Sequence, residues 1–530
     1  MGPQYPKMTL ERLERLLNDR FSDGFLTLRD LPHPSDFKDM DKATARIVKA
    51  IENREKITII GDYDVDGVVS TTLMRRFFEE IDYPVAWIIP NRFYDGYGLS
   101  SQLIPRIIGS DLAITVDNGI SAVEAAKHCK EEGIDLIITD HHIPGEILPD
   151  AYAIVNQKQD RCTFPYYEVC GAQIAWYLIA SLKNALDIKI DMVRYLELAA
   201  VAIIADVMPL QHINRAMVKS GLKALSQSTL PAIRAFLELH QKSECSSEDI
   251  GFFLAPLLNS AGRMEDALYA VEFLSSKNIY DARVRLERLQ GFNTLRKETE
   301  EQITQEALKQ VDPEDHVIVV KGDAWHEGVV GIVAARVARI HQKPAIVLSS
   351  NGEGMMKGSG RSVGSCDLFE LTDTCREYLE KFGGHRAAIG LSLHEENFVA
   401  FKKRLQDEYR KRDYLPQTAD PEVLGELDFS TISIELTELI KKYEPFGEGN
   451  TKPKFITRKV RIVESATMGK DHNHLRFTLE HNGCFLKGVK FKTTESFEAD
   501  TLADVTYLVN ENHFNGKSSL QLMIDKIVKI

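Results

Sequence analysis

Gly61-Asp62-Tyr63-Asp64-Val65-Asp66-Gly67 sets three carboxylates within five residues. Their mutual repulsion is costly unless cations neutralise them, so the run reads as a candidate cation site. An EF-hand loop begins with the same D-x-D-x-D-G spacing. Its twelfth position would be Leu73 instead of Glu, and the apolar run 57–60 stands where a helix should precede it. A solvated acidic turn is the plain alternative. Two further runs weaken it: residues 112–116 lead into Asp117-Asn118-Gly119, and residues 136–139 lead into Asp140-His141-His142. Asp206 then follows the apolar stretch 194–205. Carboxylates with imidazole and no thiolate suit Mn²⁺ or Mg²⁺ better than structural zinc. Up to five carboxylates and one or two imidazoles are enough for two ions sharing a bridging Asp. Two ions about 3.5–4 Å apart can hold a phosphate, generate hydroxide and stabilise a leaving oxygen. Hydrolytic phosphoryl transfer is the chemistry expected.

The elements that must position these groups follow from periodicity. Apolar runs at 57–60, 85–89, 112–116 and 136–139 alternate with helical patterns at about 68–80, 100–108 and 120–132. That alternation predicts a mostly parallel sheet covered on both faces, with its site at the C-terminal strand ends. Amphipathic helices are expected at 9–20 and at 39–53, the latter with Asp39 as N-cap. Residues 171–240 read as mainly helical, and 194–205, apolar almost all round, should be buried. Residues 281–310 form one long charged helical pattern, with a partial stripe of Val284, Leu286, Leu289, Phe292, Leu295, Thr299 and Ile303, and Asp312-Pro313 ends it. A helix bridging two domains is the natural reading, and a coiled-coil dimer is the rival. A second α/β pattern spans 316–410, with strands at 316–320 and 345–348 and a helix at 328–341. Residues 411–424 read as a linker. From about 454 the pattern is β, with hairpin signals at Asn482-Gly483 and Asn515-Gly516, which suits a small barrel such as an OB-fold.

Composition bounds the remaining possibilities. The 530 residues, 44% hydrophobic and 27% charged, are ordinary for a globular chain. At roughly 150 residues per domain they predict about three or four domains. No run of about 18 apolar residues suggests a membrane span, and the first residues lack a secretion-type apolar core. Seven scattered cysteines with no CxxC pair argue against a disulfide framework and favour a reducing compartment, so a cytoplasmic location is expected. A net charge of -13 argues against holding nucleic acid by bulk positive charge, but leaves room for a local basic groove.

The triplet Asp140-His141-His142 resembles the signature of the DHH phosphoesterases, and Gly383-Gly384-His385-Arg386-Ala387-Ala388 resembles the GGH motif of their associated domain. An ordered set narrows the resemblance to the RecJ family of single-strand-specific 5'→3' exonucleases: DYDVDGVVS, VDNGIS, IADVMPL, NSAGRM, WHEGVVGIV, SGRS, PFGEGN and LQL. It covers most of the chain, from about Asp39 to Ile527. The resemblance implies that Asp64 and Asp66 are metal ligands with Asp62 supporting or ligating. It implies that Asp117 bridges both ions and that His141 and Asp206 complete the second site. It makes His142 the group that touches the scissile phosphate or protonates the leaving oxygen, and Asp140 the one that orients the histidines. Some relatives carry a histidine where this chain has Ile60. For the substrate it implies Arg92, Asn259, Arg263, Ser359, Arg361, Gly384 and His385, with Ser359 and Arg361 as the S-x-R pattern that receives a 5'-phosphate. An arginine frequent in the family beside the proline of Pro256-Leu257 is absent. Phe477, Phe491, Tyr507 and Phe514, with Lys487, Lys490 and Lys492 nearby, are candidates for stacking on bases, although aromatics on strands are more often core.

The expected fold is therefore α/β. A parallel-sheet DHH domain with a helical part takes 1–275 and a connecting helix 276–311. A second α/β DHH-associated, substrate-binding domain takes 312–412, and a linker with an OB-fold nucleic-acid-binding β-barrel takes 413–530. The resemblance implies a metal-dependent 5'→3' exonuclease that hydrolyses single-stranded DNA to 5'-mononucleotides in DNA recombination and repair. It implies a monomer that works with single-stranded DNA and single-stranded-DNA-binding protein, and no membrane. The alternative is a DHH phosphodiesterase acting on short oligonucleotides or cyclic dinucleotides. Such enzymes are usually shorter and need no barrel. A replication scaffold that has lost its chemistry is a third reading, disfavoured because all the expected acidic ligands are present.

Overall fold

Buried apolar runs build the first sheet. In this computed structural model, which describes residues 4–414, 420, 422–469, 473–493, 495–514 and 517–530 (only the backbone at 512–514 and 517–518), five parallel strands pair in the order β2-β1-β3-β4-β5. They are β1 (Ile57–Ile60), β2 (Ala86–Ile88), β3 (Leu112–Val116), β4 (Asp135–Thr139) and β5 (Ala153–Val155). Every residue of β1, β3 and β5 is buried, as a sheet covered on both faces requires. Helices Met40–Glu52, Val65–Glu80, Gly171–Ala185 and Val193–Ala205 pack on one face. Helices Ile104–Ile107 and Val123–Glu131 pack on the other. The chain runs from β1 outward to β2 and then crosses to β3. The gap between the ends of β1 and β3 is therefore the topological switch point, where open α/β sheets bind their ligands. Some expectations need correction. The helix expected at 100–108 is only Ile104–Ile107. Asp39 stands at an N-cap position, but its carboxylate makes no cap and accepts instead from the Ile154 amide at 3.2 Å.

Helix Ile279–Leu308 is 30 residues long, about 45 Å at ~1.5 Å per residue. Ala282, Leu286 and Leu289 in its first half are buried with the first domain's core. Ile303 and Ala307 in its second half are buried with the next domain's core. It thus bridges two cores. Val284 and Leu295, expected in its apolar stripe, are exposed.

The second sheet is mixed, in the order β6-β7-β8-β10-β9. Its strands are β6 (Ile318–Asp323), β7 (Ala345–Ser350), β8 (Met355–Arg361), β9 (Lys381–His385) and β10 (Ala388–His394). Parallel β6 and β7 are joined by helix Glu327–His341, and the other neighbours are antiparallel. The third unit is β11 (Val423–Glu426), β12 (Lys454–Met468), β13 (His474–His481), β14 (Cys484–Lys490), β15 (Thr501–Phe514) and β16 (Lys517–Lys529). The pairing of β12 with β15 closes five of these strands into a barrel, consistent with an OB-fold. Asn482 and Gly483, with φ of 52° and 80°, make the β13–β14 turn. Asn515-Gly516 lies outside the described residues. Phe477 and Tyr507 are 2% and 0% exposed and belong to the barrel core, so they are not free to stack on bases. Phe491 is exposed, and the side chain of Phe514 lies outside the described residues.

The N-terminal helix Leu10–Asn18 does not pack on the first sheet. Met8, Leu13 and Leu17 are buried among the barrel's own apolar residues, and the Met8 amide donates to the Glu426 carbonyl at 2.8 Å. Chain start and chain end therefore share one core. Leu13→Ala should cost about 2–4 kcal/mol of that core's stability. Limited proteolysis should then cut the barrel unit sooner than the first sheet.

Candidate metal centre and substrate cleft

Each acidic group is held by backbone from a defined element. Asp64 caps helix Val65–Glu80, its Oδ1 accepting from the Asp66 and Gly67 amides at 2.9 and 3.2 Å. Gly67 is required there, because a Cβ would lie 2.5 Å from the Asp62 backbone. Both oxygens of Asp66 accept from the first amides of helix Gly171–Ala185, Gly171 at 2.6 Å and Ala172 at 2.8 Å. That helix points its positive end at the cluster. Asp117 leaves β3 with φ 64°, a conformation that Asp tolerates better than most residues. A Cβ on Gly171 would come within 2.5 Å of the Asp117 side chain, so only glycine allows this approach. Asp206 follows helix Val193–Ala205 as its C-cap.

The strand ends bring these groups together. His141 Nε2 lies 3.2 Å from Asp117 Oδ1, 3.6 Å from Asp206 Oδ2 and 3.7 Å from Asp66 Oδ2. Asp62, Asp64 and Asp117 offer ligand atoms within 4.8 Å of one another, and so do Asp66, His141 and Asp206. A third set, Asp117, His141 and His142, adjoins both. Burial, and then the charge of Asp64, pushes the Asp62 carboxyl well above the usual carboxylate range. Burial and Asp66 push Asp64 up as well. Burial followed by Asp66 and Asp64 raises Asp117 strongly and takes Asp206 to about 9. Burial pushes His141 down. Asp62 Oδ1, Asp117 Oδ1 and Asp206 Oδ2 are buried with no hydrogen-bond partner. Crowded, buried oxygens that lack donors are the donor set a hard divalent cation satisfies, and one imidazole among them suits Mn²⁺ or Mg²⁺. The residues present fit the metal.

His142 stands apart in role. Its Nδ1 meets Asp140 Oδ1 at 2.7 Å, while Asp140 also accepts from the Ile120, His141 and His142 amides at 2.9, 2.7 and 3.1 Å. Burial, the largest single influence, would raise Asp140 and lower His142, but their hydrogen bond together with their opposite charges and, for Asp140, the backbone amides of Ile120 and His142 outweighs it. Asp140 ends below its usual range and His142 rises to about 9. The Tyr97 hydroxyl lies 3.3 Å from His142 Nε2, a contact that sequence reasoning missed. Only the glycines flanking Tyr97 hinted at a constrained loop there. Asn118 was also missed as a functional part. Buried, it donates to the Ile60 and Val116 carbonyls at 3.0 and 2.9 Å and accepts from the Leu99 amide at 2.9 Å, stitching the ends of β1 and β3 to the loop that carries Tyr97.

Beside the cluster lies a cleft of about 640 Å³ lined by Tyr63, Arg92, Arg263, Lys357, Ser359 and Arg361, among others. The Arg92 guanidinium sits 4.2 Å above the Tyr63 ring. Arg361 Nη1 donates to Ser359 Oγ at 2.8 Å, and burial lowers its pKa. Burial, followed by the charges of Arg92 and Arg296, lowers Arg263 to about 10. Among the described residues, no ion pair is formed by Arg92, Arg263 or Arg361. Like charges so gathered await an anion. Gly328 and Gly331 let helix Glu327–His341 approach: a Cβ on Gly328 would meet the Arg263 carbonyl at 2.1 Å, and one on Gly331 would lie 3.3 Å from Arg361 Nη2. Asn259, one turn before Arg263 on helix Ala255–Met264, lines the adjoining groove. Gly384 and His385 stand outside the cleft lining. Gly384 has φ 139° where a Cβ would strike the Ala388 carbonyl, and His385 is exposed, its Nδ1 accepting from the Ala387 amide. Leu257 is buried in the core, so it offers a strand nothing.

Three family models match the chain. The DHH family N-terminal domain matches 56–203, the DHHA1 domain matches 314–411 and the RecJ OB domain matches 425–526. The Single-stranded-DNA-specific exonuclease RecJ of Bacillus subtilis strain 168 is 36% identical over 510 residues, which cover 93% of this chain and 64% of that protein. This chain thus spans less than two thirds of that relative. The protein of the same description from Salmonella typhimurium strain LT2 is 32% identical, with 92% of this chain and 90% of the relative covered. The crystal structure of RecJ in complex with Mn²⁺ from Thermus thermophilus aligns with a TM-score of 0.81 at 26% identity, covering 99% of this chain and 80% of that one. The Mg²⁺ complex from the same organism aligns with a TM-score of 0.73 at 26% identity, covering 93% and 70%. Among the described residues no helix is long and apolar enough to cross a membrane.

A cation bound only by the folded chain stabilises it, by about 2.7 kcal/mol at a hundred times its dissociation constant. Thermal unfolding should therefore shift upward with Mn²⁺. Asp117→Asn should abolish the shift yet leave the metal-free midpoint equal or higher, because it removes one charge from a self-repelling cluster.

Proposed function

The chain belongs to the RecJ family, and from that membership we propose a divalent-metal-dependent exonuclease that hydrolyses single-stranded DNA from its 5' end to 5'-mononucleotides. The observation that carries the reading is the position of Tyr63. Its neighbours Asp62 and Asp64 belong to the carboxylate cluster, while its ring supports Arg92 and lines the arginine cleft. One short loop thus joins a cation site to an anion site, as cutting one nucleotide from a terminal phosphate demands.

Asp62, Asp64 and Asp117 would hold one cation, and Asp66, His141 and Asp206 a second beside it. Bound there, the ions supply charge that holds a phosphate, makes water a better nucleophile and stabilises the leaving oxygen. The protein's own groups do the rest. Asp140 orients His142 and favours its protonated form, so the imidazolium can hydrogen-bond the scissile phosphate or pass its proton to the departing 3' oxygen. Tyr97 buttresses the ring. Ser359, Arg361, Arg92 and Arg263 receive the 5'-phosphate and fix the register, so that the first phosphodiester meets the metal centre. Asn259 guides the strand, and the space between the two sheets admits one strand and no duplex. Gly384 and His385 are kept out of this scheme, because the cleft is lined without them. Work in recombination and repair, as a cytoplasmic monomer beside single-stranded-DNA-binding protein, is proposed from family membership alone.

An end-labelled, 5'-phosphorylated single strand with Mn²⁺ should shorten from its 5' end while blunt duplex survives. Shortening from the 3' end, or turnover confined to dinucleotides, rejects the reading. Arg361→Ala should cut the preference for 5'-phosphate over 5'-hydroxyl by about tenfold or more, the ~1.5–3 kcal/mol of a charge-assisted hydrogen bond, without changing the Mn²⁺-induced thermal shift. His142→Ala should lower kcat by about 10²–10⁴, as loss of a general acid does, with strand affinity kept.

A further inference from the structure

Between the helical part of the first domain and the barrel runs a groove of about 770 Å³, lined by Val207, Phe252, Asn259, Arg263, Lys452 and Lys454 among others. Arg263 also lines the arginine cleft, so the two spaces adjoin at that side chain. Their electrostatics differ. In the groove Lys454 is held by Asp420, Glu422 and Asp525 at 3.0, 2.7 and 3.0 Å. Lys452 lies 3.7 Å from Glu248, and Arg296 pairs with Glu300 at 2.8 Å. Cations already matched by carboxylates have little left for a phosphate. A strand in this groove must be gripped in another way.

Phe252 supplies one. It lies 75% exposed on a single π-helical turn, Ile250–Leu254, closed by the Ala255 amide on the Ile250 carbonyl. Ile250 and Leu254 anchor the turn in the core. The extra residue of the wide turn puts two phenylalanines outward in succession, and such turns occur often at functional sites. Phe253 leans on the His240 ring at 5.0 Å, whereas Phe252 has no ring partner among the described residues. The other aromatic residue in the groove lining, Phe446, is buried. The barrel's Phe477 and Tyr507 are core, and Leu257, farther along the following helix, is buried too.

We infer that Phe252 is a base-stacking residue that grips the single strand after it leaves the arginine cleft, replacing phosphate capture by sequence-tolerant stacking. This rests on the nuclease reading above. The ring touches bases and takes no part in the chemistry at the metal centre.

The test uses the Mn²⁺-loaded full chain with 5'-phosphorylated oligothymidylates, one intact and others carrying a single abasic residue at successive positions. Phe252→Ala should raise KM on the intact strand about tenfold, equivalent to ~1.4 kcal/mol, and change kcat by less than about twofold. Phe252→Trp should restore KM. At one abasic position the wild type should lose the same factor, and there Phe252→Ala should cost nothing more. An unchanged KM in Phe252→Ala, or the same loss at every abasic position, overturns the assignment. A wild-type protein that cuts no single strand at all overturns the nuclease reading instead.

Discussion

Carboxylates that repel one another can share a small volume only if something rigid holds each in place. Here each restraint comes from a different element. Asp64 is tied to the start of its own helix, Asp66 to the amides that open Gly171–Ala185, and Asp117 to a left-handed turn against Gly171. The orphaned oxygens of Asp62, Asp117 and Asp206 measure what this costs, since buried acceptors without donors are rare in settled structures. A sheet packed on both faces can sustain such local instability, because the two large cores on either side of it do not depend on the cluster. Neutralisation by cations then returns stability to the part of the chain that does the chemistry.

The net charge of -13 says little about how the chain meets an anionic strand. What matters is where charge is left unmatched. Negative charge accumulates at the ends of β1, β3 and β4, and positive charge at Arg92, Arg263 and Arg361, with only the loop around Tyr63 between them. Holding the two at that spacing depends on how the second domain sits on the first. Gly328 lets its helix lie against the Arg263 carbonyl, and the Ile279–Leu308 helix spans both cores. The pairing of Arg336 with Glu301 at 2.7 Å and with Glu300 at 3.5 Å links that bridge to the helix carrying Gly328. A bridge that flexed would separate the anion cleft from the cation site and lose the register between them.

Much of this was legible in the sequence because it rests on short-range patterns. Apolar runs that end in Asp117 and Asp140 declare parallel strands with a shared C-terminal edge, and the bridging helix, the first two strands of the second sheet with the helix between them, and the barrel follow from periodicity and turn residues, whereas the antiparallel strands β8, β9 and β10 did not. What escaped depends on contacts between distant segments. Nothing local says that Gly171 must lack a Cβ to make room for Asp117, since the two lie 54 positions apart. Nor does anything local say that Leu13 and Leu17 belong with the barrel, because an amphipathic helix declares an apolar face and not its partner. Phe477 and Tyr507 illustrate the same limit, for alternation along a strand marks two faces without saying which one is inside. Gly384 and His385 were singled out by a motif, yet Gly384 lets β9 lie close against the backbone of β10 and His385 faces solvent outside the cleft.

The contrast between cleft and groove bears on how a strand could advance. After each cut the next phosphate must move into the arginine cleft, and every contact behind it must shift by one nucleotide. Unpaired guanidiniums along the whole path would resist that shift, because each charge-assisted hydrogen bond is worth about 1.5–3 kcal/mol and several would have to break together. A ring surface exchanges one base for the next with nearly the same energy, since every base has a π-face. Concentrating free charge at the terminal phosphate, where register must be exact, and pairing it off in the adjoining groove, where the strand must slide, satisfies both demands. The carboxylates around Lys454 and Lys452 then have a purpose that the metal centre does not explain: they remove the electrostatic grip from the part of the path that has to move.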